Sequence, residues 1–330
     1  MKSLKLLNKI QAFKGDSRYL IDIANLKGNI INSKNYCKSK FEFKKFKNSY
    51  EFGIPFIFPY NKKIFTTINS QKFKLNQNEI LNIIYRLNDI NYPPFKKLYS
   101  KKSYFISSNI KLKKKYSKIV KEILRFNNSS KKKIINLKKK FKNVCAFQTR
   151  NIPHLGHEKI FTEIIRKYGH VVINPLIGPK KRGDLDPETL YKSFKFLKRN
   201  IYKDKISFIP VISNMFYAGP REACHHAAIR QSLGFTHFAV GRDHAGHGNY
   251  YKHDKAVEII KNHRKKFKIK FFLHYGSYVS KKSGKIIMLK NKTNQDKIID
   301  ISGTEFRKKL IKKKFFIYAR RELQMFLHNL

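Results

Sequence analysis

The segment Gln148-Thr149-Arg150-Asn151-Ile152-Pro153-His154-Leu155-Gly156-His157 carries the densest chemistry in the chain. Arg150 presents a planar fork that grips tetrahedral oxyanions in a bidentate manner. Gln148 and Asn151 add amides, and Thr149 adds a hydroxyl. His154 and His157 stand one helical turn apart, so both rings can face one phosphate group. A histidine pair around a glycine suits a nucleotide whose α-phosphate is under attack. Zinc would need a third ligand, and none stands nearby in the sequence.

A second loop repeats that chemistry: Gly241-Arg242-Asp243-His244-Ala245-Gly246-His247-Gly248. Its glycines let backbone approach a ligand closely. Arg242 and His244 read as cationic donors, and Asp243 can orient one of them or accept from a ribose. Residues 174–184 end a strand with Lys180, Lys181 and Arg182 in a flexible loop, a run that equally reads as solvated charge. Arg221-Glu222, at a helix start marked by Pro220, reads as an ordinary ion pair worth little. In Ile301-Ser302-Gly303-Thr304-Glu305-Phe306-Arg307, Ser302 or Thr304 can cap a helix, and Arg307 is within reach of the nucleotide rim.

These loops need elements to hold them. Residues 144–147, 171–177, 206–212, 238–240 and 269–273 are short apolar runs that read as strands. Between them, residues 158–168, 187–200, 220–233 and 254–267 read as helices. Alternation of this kind predicts an α/β domain with a parallel sheet over residues 141–330. Ligands in such sheets sit beyond the carboxyl ends of the strands, so the loops after the first and fourth strands should open on one rim. The helix that follows the first loop would add amide dipoles there.

Residues 1–140 differ in texture. They are rich in Lys and Asn, with short apolar runs at 52–60 and 63–68. Gly53-Ile54-Pro55-Phe56-Ile57-Phe58-Pro59 reads as a strand at a sheet edge, where proline is tolerated. Residues 76–88 could be strand or short helix, and residues 91–94 form a turn. Residues 111–142 are heavily basic and read as partly helical. The expectation is a small, mainly β domain preceding the α/β one.

The chain has 330 residues, and its formal charge is +52. Lysines scatter through every segment, and Lys, Asn, Ile, Phe and Tyr all have A/T-rich codons, so codon usage accounts for the charge and nucleic acid is not expected as a partner. No apolar run of about 18 residues occurs, and Met1 to Ser17 lacks the apolar core of a signal peptide. Three widely spaced cysteines, Cys37, Cys145 and Cys224, suit a reducing cytoplasm and no disulfide framework.

Taken together, the motifs resemble the ATP sulfurylase (sulfate adenylyltransferase) family in its single-polypeptide form. Four stretches carry the resemblance in order: Gln148 to His157, Ala218-Gly219-Pro220-Arg221-Glu222-Ala223, Gly241-Arg242-Asp243-His244-Ala245-Gly246 and Ile301-Ser302-Gly303-Thr304. The resemblance implies a Rossmann-like nucleotidylyltransferase domain preceded by a reduced PUA-like β domain. It implies that ATP and sulfate give adenylyl sulfate and diphosphate with Mg2+, in the cytoplasm, by a homodimer. By the same resemblance Thr149, Arg150, Asn151, His154 and His157 are catalytic. Gln148 through Asn151, His154, His157, Gly241, Arg242, Asp243, His244 and Phe272 hold ATP, and Gln148, Arg150 and Ala245 hold sulfate. No resident metal is expected.

The chain departs from the family pattern in places. Asn174-Pro175 stands where His-Pro is usual, and residues 278–284 lack the cysteines of the bacterial metal knuckle. With the last residue at Leu330, no appended kinase-like domain is expected. Two rivals remain: another nucleotidylyltransferase with the same histidine pair, acting on an organic phosphate, and an eroded basic relic that binds RNA.

Overall fold

The computed structural model describes residues 6, 17–32, 65–69, 73–75, 104–106, 109–179, 186–216, 218–242, 244, 250–291 and 297–330. The expectations for residues 52–60, 76–88, 91–94 and 180–182, and for Asp243 and Ala245, lie outside the described residues.

In chain order the first elements are α1 (Ser17–Lys27), β1 (Phe65–Asn69), β2 (Phe73–Leu75), β3 (Tyr104–Ile106), β4 (Asn109–Leu112) and α2 (Lys114–Lys140). Strands β1 and β4 pair antiparallel, as do β2 and β3. Then follow β5 (Cys145–Phe147), α3 (Leu155–Tyr168), β6 (Val171–Ile173), β7 (Leu176–Ile177), α4 (Pro187–Leu197), β8 (Ile206–Phe208), β9 (Val211–Ile212), α5 (Arg221–Leu233), β10 (His237–Val240), α6 (Lys255–His263) and β11 (Lys270–Leu273). Last come β12 (Ser277–Ser280), β13 (Ile286–Met288), β14 (Ile298–Asp300), α7 (Gly303–Ile311) and α8 (Arg321–His328).

The central sheet runs β11-β10-β5-β6-β8, and every pairing in it is parallel. Because side chains alternate across the pleat, the sheet buries a different set on each face. Val144, Ala146, Val172, Phe238 and Val240 pack with α5 and α6 on one side. Cys145, Phe147, Val171, Ile173 and Ala239 pack with α3, α4 and α8 on the other. The helices end where their sequences say they should. Gly169 and Gly234 take left-handed φ values of 76° and 95° to close α3 and α5. Asp186 caps α4 with Pro187 at its first position.

Two runs expected as single strands are each broken in the middle. Asn174-Pro175 separates β6 from β7, and Ile209-Pro210 separates β8 from β9. Proline has no N–H to give the ladder, so pairing lapses and resumes as the parallel pair β7 and β9.

Helix α2 runs unbroken over 27 residues of the stretch 111–142 expected to be partly helical. Its buried stripe includes two polar residues, and both serve the edge left open by Pro210. Asn127 Oδ1 accepts from Ile212 N at 2.8 Å, while its Nδ2 donates to Ile212 O at 2.9 Å and Asn25 Oδ1 at 2.7 Å. Ser130 Oγ donates to Pro210 O at 2.7 Å. Those side chains stand in for a neighbouring strand. Helix α1, absent from the sequence reading, packs beside α2 and donates Asn25 Nδ2 to Ile212 O at 3.0 Å. Among the described residues no helix is long and apolar enough to cross a membrane.

Candidate active site

A cavity of about 360 Å³ opens beyond the carboxyl ends of β5 and β10. The adjacency of those two strands brings the first and second loops to one rim. Gln148, Thr149, Arg150, Asn151, His154 and His157 line it from one side, and Gly241, Arg242 and His244 from the other.

The first loop is shaped by its own hydroxyl. Thr149 Oγ1 accepts from Asn151 N at 3.0 Å and donates to Asn151 O at 3.2 Å. His154 then caps α3: its Nδ1 accepts from His157 N. The two imidazoles stack with centroids 3.9 Å apart. Gly156 is the residue that permits this, since a Cβ there would sit 3.0 Å from the folded-back His154 ring. Asn151 Oδ1 accepts from Arg307, whose Nη2 reaches Thr304 Oγ1 at 3.2 Å. Ser302, not Thr304, caps α7, with its Oγ accepting from Glu305 N at 3.2 Å. Among the described residues no donor reaches the buried Gln148 Oε1 on the cavity wall.

Arg242 is braced from outside the parallel sheet. Its Nη1 donates to Tyr278 Oη at 2.9 Å, its Nη2 pairs with Asp300, and its guanidinium lies 4.6 Å over the Tyr278 ring. Strands β12 and β14 therefore fix a cation at the rim.

Three expectations need correction. Phe272 does not line the cavity; the register that pairs it with Ala239 turns it into the apolar layer, 6.2 Å from Tyr168. His244 is not a cation: burial, then His226 and Arg230 nearby, hold its proton affinity well below the ordinary imidazole value. Arg221-Glu222 is not an ordinary helix-start ion pair. Both are buried, and Glu222 accepts from Phe216 N at 2.9 Å and Ala218 N at 3.0 Å, stapling the loop that precedes α5. The stacked pair His154 and His157 is neutral as well. Burial lowers His157 to about 4, and burial with His157 and Arg242 beside it holds His154 well below the ordinary imidazole value.

Sequence reasoning missed His274, just past β11. It lines the cavity, accepts from Gly276 N at 3.2 Å, and is lowered to about 4 by burial, His157 and Arg242. The carboxyl-end rule applied to the fifth strand would have found it. Gly241 lies against this ring: a Cβ there would be 2.2 Å from His274 Cε1. Gly241→Ala is expected to displace His274 and to destabilise the fold by about 1–3 kcal/mol, as overpacking does. A urea titration of the variant checks the loss; an unchanged midpoint would show that the ring swings clear without cost.

The ATP-sulfurylase family model matches residues 126–316. The chain is 35% identical over 233 residues to a sulfate adenylyltransferase of Ignicoccus hospitalis, covering 70% of this chain and 60% of that one. It is 34% identical over 232 residues to a sulfate adenylyltransferase of Pyrococcus abyssi, covering 69% and 60%. A third, from Aeropyrum pernix, is 43% identical over 130 residues, covering 39% of this chain and 34% of that one. The chain thus spans about 60% of the length of the first two relatives.

Proposed function

This chain belongs to the ATP-sulfurylase family, and from that premise we propose that it is a sulfate adenylyltransferase. One sulfate oxygen attacks the α-phosphorus of ATP in line with the bond to the β-phosphate. The new O–P bond makes adenylyl sulfate, and diphosphate leaves. Mg2+ arrives with the triphosphate as part of the substrate; among the described residues no group of three His, Cys, Asp or Glu side chains could hold a metal ion.

Sulfate is a weak nucleophile and diphosphate a good leaving group. The protein's task is therefore to hold two anions together and to neutralise charge on the α-phosphoryl oxygens. Arg150 takes the sulfate as a fork, assisted by Gln148 and the Ala245 amide. His154 and His157, at the start of α3, donate to the α-phosphoryl group, and the first amides of α3 add positive potential. The triphosphate's charge would itself raise the proton affinity of these neutral rings. Thr149, Asn151, Gly241, Arg242, Asp243 and His244 complete the nucleotide site. On the same reading residues 1–140 are the PUA-like domain, supported by the two antiparallel pairs, the α/β part is the Rossmann-like nucleotidylyltransferase domain, and the enzyme is a cytoplasmic homodimer.

The single observation that carries the reading is that Arg150, His157 and Arg242, from two separate loops, line one cavity. The test is to mix the protein with Mg2+, diphosphate and adenylyl sulfate and to measure ATP. ATP formation is expected. No ATP, together with turnover of a sugar or nucleotide phosphate, would give the site to the organic-phosphate rival. No turnover at all, with RNA binding that falls by powers of ten from low to moderate salt, would give it to the relic.

A further inference from the structure

A buried chain of acceptor and donor groups runs from α5 to the cavity wall. Glu222 is fully buried, and its two carboxylate oxygens accept from Phe216 N and Ala218 N. His226, one turn along α5 and equally buried, brings Nε2 to 3.0 Å from Glu222 Oε1, off the line of an ideal hydrogen bond. Its Nδ1 lies 3.0 Å from His244 Nε2. His244 lines the cavity, its ring set edge-on to Phe238 with centroids 5.5 Å apart.

The protons along this chain follow from electrostatics. With a carboxylate oxygen 3.0 Å from His226 Nε2, even off its axis, a hydrogen on that nitrogen is attracted where a lone pair is repelled, so Nε2 carries the hydrogen. Burial with Arg230 and Arg150 nearby keeps His226 neutral, so Nδ1 is an acceptor. His244 must then supply the hydrogen in the contact between the rings, from Nε2. That leaves Nδ1 of His244 as a lone pair. Tautomer selection by the partner of the other nitrogen is the general rule for functional imidazoles.

We propose that Glu222 is a positioning residue that acts through His226 to fix His244 as its Nε2–H tautomer, so that His244 offers the nucleoside an acceptor nitrogen. An acceptor on the wall repels phosphate and sulfate oxygens and pairs with a hydroxyl or amine. His244 therefore takes a donor group of the ribose or base, and Glu222 contributes to nucleotide recognition without touching it. The ligand named here rests on the proposed function; the tautomer does not.

The experiment uses the full chain labelled with 15N at histidine. Long-range 1H–15N spectra at mildly alkaline pH report which ring nitrogen is protonated, with the His244 signals assigned from a His244→Asn variant. The wild type should show His244 protonated at Nε2 alone. Glu222→Gln, which can place an amide donor against His226, should shift His244 toward the Nδ1–H form. The same variant should raise KM for ATP about tenfold while leaving KM for sulfate unchanged, a split that loosened packing would not produce. His244 protonated at Nδ1 in the wild type overturns the proposal, even if the variant does not fold. So does a Glu222→Gln protein whose His244 tautomer and KM for ATP match the wild type. Should the wild type make no ATP from adenylyl sulfate and diphosphate, the functional reading fails separately, and the spectra still decide the chain from Glu222 to His244.

Discussion

Replacing Arg150 by alanine lowers sulfate-dependent diphosphate release by roughly 10²–10³-fold or more, the effect of removing a preorganised charged donor from a reacting anion, while the fold survives. The fold should survive because Arg150 stands on the cavity loop, partly exposed and outside the apolar clusters on either face of the sheet. Thr149 and Asn151 shape that loop through their own hydrogen bonds, which the substitution leaves in place. The loss should concentrate on the anion. A lysine at position 150 keeps the charge but not the fork, so Arg150→Lys should recover only part of the rate. A coupled diphosphate assay, run beside thermal melts of both variants, measures this. Alanine turnover within threefold of wild type would remove Arg150 from the sulfate site.

Legibility in the sequence tracked how local the cause was. The elements from β5 to β11 follow from apolar period and from Gly and Pro at their ends, and the observed bounds differ from the expected ones by a few residues. The breaks at Pro175 and Pro210 are equally local and could have been read from proline's missing donor. Helix α2 could not, because Asn127 and Ser130 look like helix breakers until the backbone of β9 is seen beside them. The cavity loops were legible because their residue types are costly to place anywhere else. What failed was whatever depended on the third dimension. Phe272 was misplaced by one face of a pleat. His244 was read as a cation because burial is not written in a motif. Glu222 was read as half of an ordinary ion pair because nothing in the sequence says that Phe216 and Ala218 fold back onto it.

Acid should unfold this protein in a steep step well before its carboxylates are neutralised. His157, His170, His237 and His274 are each lowered from 6.5 to about 4, and His225 to about 3, with burial the leading cause in every case. Between pH 6.5 and about 4 the unfolded chain binds these protons and the native chain does not. Stability therefore rises with pH through that window, is fully present above 6.5, and is lost as pH falls. Asp22 runs the other way: burial raises it from 3.8 to about 7, so the native state holds one proton more over much of the same range. His154, His226 and His244 are lowered by burial as well, so the balance is at least four protons, or ~5 kcal/mol per pH unit, against a typical total of about 5–15 kcal/mol. Urea midpoints followed by circular dichroism from pH 8 downward should be level to pH 6.5 and collapse near pH 5. The formal charge of +52 offers a competing cause, since like charges repel more as carboxylates protonate. Salt separates the two, because concentrated salt screens surface repulsion and leaves the desolvation of a buried imidazole almost untouched. The step should persist in 1 M salt, and His170→Phe, which keeps the stack on Phe141 at 4.5 Å, should reduce its slope by about one proton. A midpoint that holds level to pH 4.5, or a step that vanishes in salt, would mean that the buried rings do not govern acid stability.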